Sequence, residues 1–518
     1  MSRSPRIRTV LIAAILAIAG TSVAQTGGEI FRAAMQTNPP TLDVMTSTAF
    51  ATRQTAFYFF ESLVAYDEEF DVVPMLAESW EVNDQNSLYT FHLREGVNFH
   101  NGDVMEAADV VASFERFIEV SPRKSRFARV EEIEAIDDST VAFHLAAPDA
   151  TFLAALASPL SYAAIMPAEI IAGQEVGELE VEEMIGTGPY RLVDWQPDRF
   201  VKLVRFEEYS VNDSLERTGL GGAKIANFAE IHLVPVTEPS ARVAGIQSGE
   251  YDYAEALPTT QFTQLQADPG VETYITRPGV WYVLEFNHSN ELTGNLTFRR
   301  AIQAALDMES VARAMTAGQE DFYRLQPSLF FNEQAQWWNE AGAEAYNQAD
   351  VEKARALLEE SGYAGEEIVL LTNRDYDSMY KAVLAVANQL ETNLGMNVSV
   401  NVLDWPGQRA FEKNKEGWHI TPTFYSLRFD PSDFESSFHS SAGRKFYNNP
   451  VMDAAMERGA AGATLEERQA AYEEAQRIFY DDVTALKLAD VFDLEAVRTE
   501  YVGFQSWYTP RFWGVEAE

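Results

Sequence analysis

The 518-residue chain contains no cysteine. This absence excludes disulfides, thiolate metal sites and cysteine nucleophiles, and with them the lipidated cysteine that would tether an exported protein. Basic residues are also scarce: 39 Lys and Arg stand against 79 Asp and Glu, a formal net charge of −40. Nucleic acid and anionic lipid both need basic patches, so neither is expected as a partner. The acids are spread along the chain rather than gathered in a tail, which suits a solvated surface in a salty medium, where screening lowers self-repulsion. The seven histidines (His92, His100, His144, His232, His288, His419 and His439) are scattered, with none at ligand-like spacing, so no metal is expected and no cofactor. HExxH, GxSxG and EF-hand patterns are missing, and no catalytic residue can be nominated. Paired acids mean little in a chain this acidic.

The N-terminus carries an address. Arg3, Arg6 and Arg8 precede the apolar run Val10–Ala19, and Ser22 and Ala24 supply small residues before Gln25. That pattern predicts a cleaved signal peptide over residues 1–24. An apolar run of about ten residues is too short for a bilayer, which needs about 20. A free periplasmic protein without a lipid anchor is expected.

A chain of this length predicts two or three domains. The stretch Ala77–Val111 organises the reading. Tyr89, Phe91 and Leu93 alternate with polar residues as a half-buried strand does. Glu95-Gly96 and Asn101-Gly102 are turn signals around a short strand, Val97-Asn98-Phe99, and Glu106–Val111 opens a helix. A Phe- and Tyr-rich helical run is expected at Phe57–Val64, filling core. A strand is expected at Thr140–Leu145 and a helix at Phe152–Ala157. Gly186-Thr187-Gly188-Pro189-Tyr190 is glycine-rich but lacks the Lys-Ser/Thr of a P-loop. Phe298, Ile302, Ala305, Met308, Val311 and Met315 fall at spacings of three and four, predicting one amphipathic helix closed by Gly318. Helices at Asp350–Gly362 and Met379–Leu394, a strand through Val398, Val400 and Val402, and a capping box at Thr464–Glu467 complete an α/β pattern.

Glu78-Ser79-Trp80, the run Tyr89–Gly102 and Ala108-Asp109-Val110 together resemble the signature of one family. It is the peptide-type extracytoplasmic solute-binding proteins of ABC importers, family 5 or cluster C, which includes dipeptide, oligopeptide and nickel binders. Asn38–Asp43, Gly186–Tyr190, Ser240–Asp252 and the Asp350, Lys353, Ala354, Leu357, Leu358, Gly362, Tyr363 set resemble further elements of the same family. The resemblance implies an α/β, two-lobed periplasmic-binding-protein fold with a hinge and three interleaved domains. Residues 25–68, 190–275 and 490–518 would form lobe 1, residues 69–189 a second domain packed on it, and residues 276–489 lobe 2. It further implies no enzymatic activity, a small-molecule ligand, cognate ABC permease subunits at the inner membrane as partners, and a monomer.

Ligand contacts are expected between Leu371 and Phe438. Dipeptide-type relatives hold the ligand carboxylate with an arginine before a helix, the place Arg374 takes here, and a guanidinium fork suits a carboxylate. The aspartate such proteins use for the ligand amine is replaced by Leu427, with Arg428 beside it, leaving Asp430 or Asp433 as substitutes or a ligand without a free α-amine. Trp281, Tyr282, Trp405, Trp418 and Tyr425 are aromatic candidates for cation–π or stacking contacts, although core packing is the commoner use of such residues. The function expected is capture of a carboxylate-bearing solute, a peptide by family resemblance. The alternatives are a betaine-like or sulfonium osmolyte or an oligosaccharide on the same fold, a receptor that signals to a sensor, and a secreted peptide hydrolase.

Overall fold

Two long strands, Val271–Phe286 and Ala485–Arg498, pair antiparallel from Val271 opposite Arg498 to Glu285 opposite Ala485. The first is rich in β-branched and aromatic residues and the second in alanine and leucine, and Ala485–Phe492 is buried throughout, as a strand covered on both faces requires. The computed structural model describes residues 30–172 and 177–518; the expected signal peptide lies outside them. These two strands run from one half of an eleven-stranded sheet into the other. Beyond Val280–Phe286 lie Ile420–Ser426, Glu367–Asn373 and Asn397–Leu403. Beyond Leu494–Val497 lie Tyr253–Leu257, Ile30–Met35, Glu230–Pro235, Phe200–Arg205 and Tyr190–Gln196. The register slips between Thr276 and Val280, where the strands leave one half for the other.

A separate antiparallel sheet orders Ala77–Val82, Leu88–Leu93, Thr140–Leu145 and Val130–Asp137. Tyr89, Phe91 and Leu93 are buried, and the residues between them are half exposed, as period-2 alternation requires. The helix Ala107–Val120 covers this sheet, its Phe114 meeting Phe143 edge-on at 4.9 Å. Val97–Phe99 makes a single bridge, Asn98 to Val104, rather than a strand. His100 ties this stretch to the glycine-rich loop. Its Nδ1 accepts from the Gly186 N–H at 3.3 Å, and its Nε2 lies 3.0 Å from the Gly188 carbonyl oxygen. Burial pushes the His100 imidazole down to about 4. The loop runs so close to Phe59 and Tyr58 that a Cβ on Gly186 or Gly188 would lie 2.1 Å or 2.6 Å from their carbonyl oxygens.

The same contact corrects one expectation. The helix near Phe57 spans Phe50–Ala56 and stops there. The carbonyls of Tyr58 and Phe59 accept instead from the N–H groups of Tyr190 and Gly188, both at 3.1 Å, so they do not continue a helical ladder. The aromatics of the run are buried as core.

A second correction concerns the helix through Phe298–Met315. It is two helices, Leu296–Ala305 and Met308–Met315, because Asp307 adopts extended backbone and caps the second, accepting from the N–H groups of Glu309 and Ser310. The apolar spacing survives the break, which is why periodicity alone joined them. Asp307→Ala is expected to lower the unfolding free energy by about 0.5–2 kcal/mol, measured by urea denaturation. The other helices expected are present: Val351–Glu360 capped by Asp350, Asp377–Leu394 closed by Gly395 in the left-handed region, and Leu465–Asp481 with its capping box on Thr464 and Glu467.

Candidate functional site

The strands Val271–Phe286 and Ile420–Ser426 pair with Trp281 opposite Tyr425 and Tyr282 opposite Phe424. Alternation sends each pair to a different face. Trp281 and Tyr425 lie with ring centroids 4.7 Å apart, and the Tyr425 hydroxyl donates to Glu285 Oε1 at 2.5 Å. Tyr282 packs against Phe424 on the other face, at 5.8 Å. Trp418 is fully buried and donates its indole N–H to the Asn414 carbonyl at 2.7 Å. Leu427 is buried in the large core that also holds Trp281 and Tyr425. Five of the nine residues singled out in the sequence therefore sit in packed interior.

Arg374 and Trp405 lie elsewhere. The Arg374 side chain is exposed and stacks on Tyr380, 5.0 Å from guanidinium to ring, with Nη2 donating to the Tyr380 hydroxyl at 3.3 Å. Trp405 is half-buried and meets Tyr376 edge-on at 5.2 Å, with the Arg409 guanidinium 5.3 Å from its ring. Asp430 is buried and fully engaged. Both its oxygens accept from Arg468 Nη2, at 2.7 and 2.8 Å, and Oδ1 also takes the Ser432 N–H and hydroxyl.

Arg428, the ninth, belongs to a different group. Four arginines from three distant parts of the chain gather with the Asp433 carboxylate. Arg53 comes from the helix Phe50–Ala56, Arg123 and Arg126 from the turn and 3-10 segment after Ala107–Val120, and Arg428 and Asp433 from the segment after Ile420–Ser426. Arg126 lies 3.6 Å from Asp433 and donates to the Ser432 hydroxyl at 3.1 Å. Burial holds the Arg123 and Arg428 guanidinium groups below the ordinary arginine value. Like charges push the same way: Arg53 and Arg126 act on Arg123, and Arg123 and Arg444 act on Arg428. Arg126 is the exception: burial disfavours its charge, but Asp433 and Asp430 outweigh that cost.

The unpaired atoms here are mostly donors. Nε of Arg53, Arg123, Arg126 and Arg428 is buried without a hydrogen-bond partner, as are Arg126 Nη2 and the Tyr508 hydroxyl; Asp433 Oδ2 is the acceptor among them. Arg53 Nη1 donates to the Thr48 carbonyl at 2.7 Å, and buried Arg242 and Arg511 likewise leave Nε unpaired while carbonyls or a carboxylate hold their Nη groups; what sets this group apart is that four such arginines gather in one place. Orphaned buried donors are costly in a folded protein unless a ligand or solvent takes them. An aromatic wall adjoins the group: the Arg53 guanidinium lies 5.8 Å from the Phe50 ring, which meets Tyr508 at 5.6 Å, and Tyr508 meets Phe429 at 4.9 Å. Arg53, Arg123 and Arg126 escaped sequence reasoning. The pair in Ser121-Pro-Arg-Lys-Ser-Arg126 carried a signal, a local basic cluster in an acidic chain; Arg53 carried none.

The profile of bacterial extracellular solute-binding proteins, family 5 (middle), matches residues 71–446. The chain belongs to this family. A Sinorhizobium fredii relative of this family 5 protein, named "Probable peptide ABC transporter periplasmic-binding protein y4tO", is 27% identical over 502 residues, covering 92% of each chain. The glutathione-binding protein GsiB of Escherichia coli K12 is 27% identical over 435 residues, covering 79% of this chain and 80% of that one. The ABC transporter substrate-binding protein CtaP of Listeria monocytogenes superimposes with a TM-score of 0.83 at 22% identity, over 95% of this chain and 99% of that one, which shows the shared α/β fold. Family 5 proteins are extracytoplasmic receptors of ABC importers, and no helix among the described residues is long and apolar enough to cross a membrane.

Proposed function

We propose that this family 5 protein captures a carboxylate-bearing small molecule between two lobes in the periplasm and delivers it to an ABC permease, without chemical turnover. The observation that carries the reading is the group of arginines, buried at Arg53 and half-buried at Arg123, Arg126 and Arg428, whose unpaired donor atoms are buried and suit an acceptor-rich ligand. With residues 25–68 as part of lobe 1, 69–189 as the second domain and 276–489 as lobe 2, Arg53, Arg126 and Arg428 come one from each. A ligand gripped by all three would favour the closed arrangement by its differential contacts. The two long strands with their register slip at Thr276–Val280 are the proposed hinge. The carboxylate contact is read at this group rather than at Arg374, whose guanidinium faces solvent against Tyr380. Of the two acids named as amine partners, Asp430 is committed to Arg468 and Asp433 stands among the arginines.

A thermal-shift screen over peptides, organic acids, betaines and sugars tests this. A true ligand raises the melting temperature by mass action, and carboxylates without a cationic group are expected to do so, while betaines, whose quaternary ammonium offsets the carboxylate, and neutral sugars do not. Stabilisation by neutral sugars alone would remove the carboxylate reading. Release of altered product from any bound compound would remove the receptor reading.

A further inference from the structure

Resting on the carboxylate reading above, we infer that the ligand carries at least two negative charges and brings no free ammonium group to the site formed by Arg53, Arg123, Arg126, Arg428, Asp433 and Tyr508. The first argument is charge balance. Four guanidinium groups gather around Asp433, with Glu435 acting on Arg126 as a second carboxylate, and the neighbouring Asp430 is neutralised by Arg468. A single carboxylate from a ligand would leave a surplus of positive charge buried, at a cost that falls as further anionic groups enter.

The second argument is donor count. The orphaned buried atoms are five guanidinium nitrogens and a hydroxyl, against one carboxylate oxygen, Asp433 Oδ2. One carboxylate accepts about four hydrogen bonds, and these donors lie on residues from four parts of the chain, so two acceptor groups set apart in space satisfy them better than one. The third argument excludes the amine. An ammonium placed at Asp433 would lie against Arg126, 3.6 Å from that carboxylate, with Arg123 and Arg428 also acting on Asp433. An ammonium there would add a further cation to three guanidinium groups that already share this carboxylate. The position where an amine partner would stand on the strand exit is Leu427, buried in the core. The surroundings sharpen the point: a chain of net charge −40 repels anions at long range, so an anion receptor of this composition needs a concentrated basic site.

The experiment compares probes by calorimetry and thermal shift: dialanine (zwitterion), N-acetyl-dialanine (one charge), citrate (several carboxylates) and glucose 6-phosphate (a dianion from phosphate). Citrate or the sugar phosphate is expected to bind, with affinity falling as salt rises, and dialanine is expected not to. Binding of citrate alone assigns the charge to carboxylates, whereas binding of the sugar phosphate alone keeps the dianion and overturns the carboxylate reading. Arg428→Gln is expected to weaken the anion that binds at least about tenfold, and to leave the anion-free protein as stable as the parent or more so, because a half-buried like charge is removed. Dialanine binding more tightly than N-acetyl-dialanine overturns the inference while leaving the carboxylate receptor intact. Binding of neither acid nor phosphate, with stabilisation by a neutral sugar, overturns both. An Arg428→Gln protein destabilised by several degrees without anion also overturns the inference, since that arginine would then be structural.

Discussion

Asp430→Ala is expected to lower the unfolding free energy by about 3–5 kcal/mol, the range for a buried ion pair deprived of one partner. Asp430 accepts both contacts from Arg468 Nη2 and also the Ser432 N–H and hydroxyl. Arg468 is itself buried, with Nε donating to the Gly459 carbonyl at 3.0 Å and its guanidinium 5.0 Å from the Trp337 ring. Without Asp430 that charge stays in the interior unpaired. The pH dependence has a definite sign. Burial pushes the Asp430 carboxyl up, but Arg468 and Ser432 outweigh it and hold it below the ordinary value. Its contribution is therefore full above the unfolded aspartate value, about 3.9, and is lost as pH falls through the lower folded value. Urea denaturation followed by tryptophan fluorescence measures the loss, and a change under about 1 kcal/mol would contradict a buried, fully engaged pair. Because Asp430 also anchors the turn between Arg428 and Asp433, anion affinity should fall in the variant even where it remains folded.

The contrast between Asp430 and Arg428, two residues apart, shows what the sequence could and could not disclose. The elements were largely legible, because alternation at Tyr89–Leu93, the capping box at Thr464–Glu467 and the closing Gly395 are local signals with local causes. The break at Asp307 was not, since an aspartate inside a continuous apolar period reads equally as cap or as surface. The aromatic run at Phe57–Phe60 misled for another reason: its carbonyls are claimed by Tyr190 and Gly188, some 130 residues later. The site was harder still. Its arginines lie near positions 50, 125 and 430, and only the fold makes them neighbours. Trp281, Tyr425 and Trp418 looked like ligand contacts because aromatic residues serve core and cleft alike, and their near-complete burial places them in the core.

Glu285→Ala is expected to be about as damaging as loss of Asp430, because Arg444 loses its carboxylate partner and Lys445 loses one of two. Glu285 is buried with Arg444 Nε at 3.0 Å, Lys445 Nζ at 3.3 Å and the Tyr425 hydroxyl at 2.5 Å; Lys445 also pairs with buried Glu412. Burial pushes the Glu285 carboxyl up, yet Arg444, Lys445 and Tyr425 together bring it down to about 2. Burial wins instead at Lys445, whose ammonium is held below the ordinary lysine value. The Glu285 direction is the firmer one, since three donors converge on it. The depression corresponds to on the order of 3 kcal/mol, present above the unfolded glutamate value near 4.3 and lost as pH falls through about 2. Half-buried His100 and His288, each pushed down to about 4, lose their contribution at higher pH, between about 6.5 and 4. Acid unfolding should therefore proceed in two windows, and the lower one, which Asp430 shares, should shrink in Glu285→Ala while the upper one stays. Urea midpoints of the parent and the variant, measured from pH 7 to pH 2.5, separate the two. If the variant kept the parent's full loss of stability below pH 4, Glu285 would not be among the groups that titrate there.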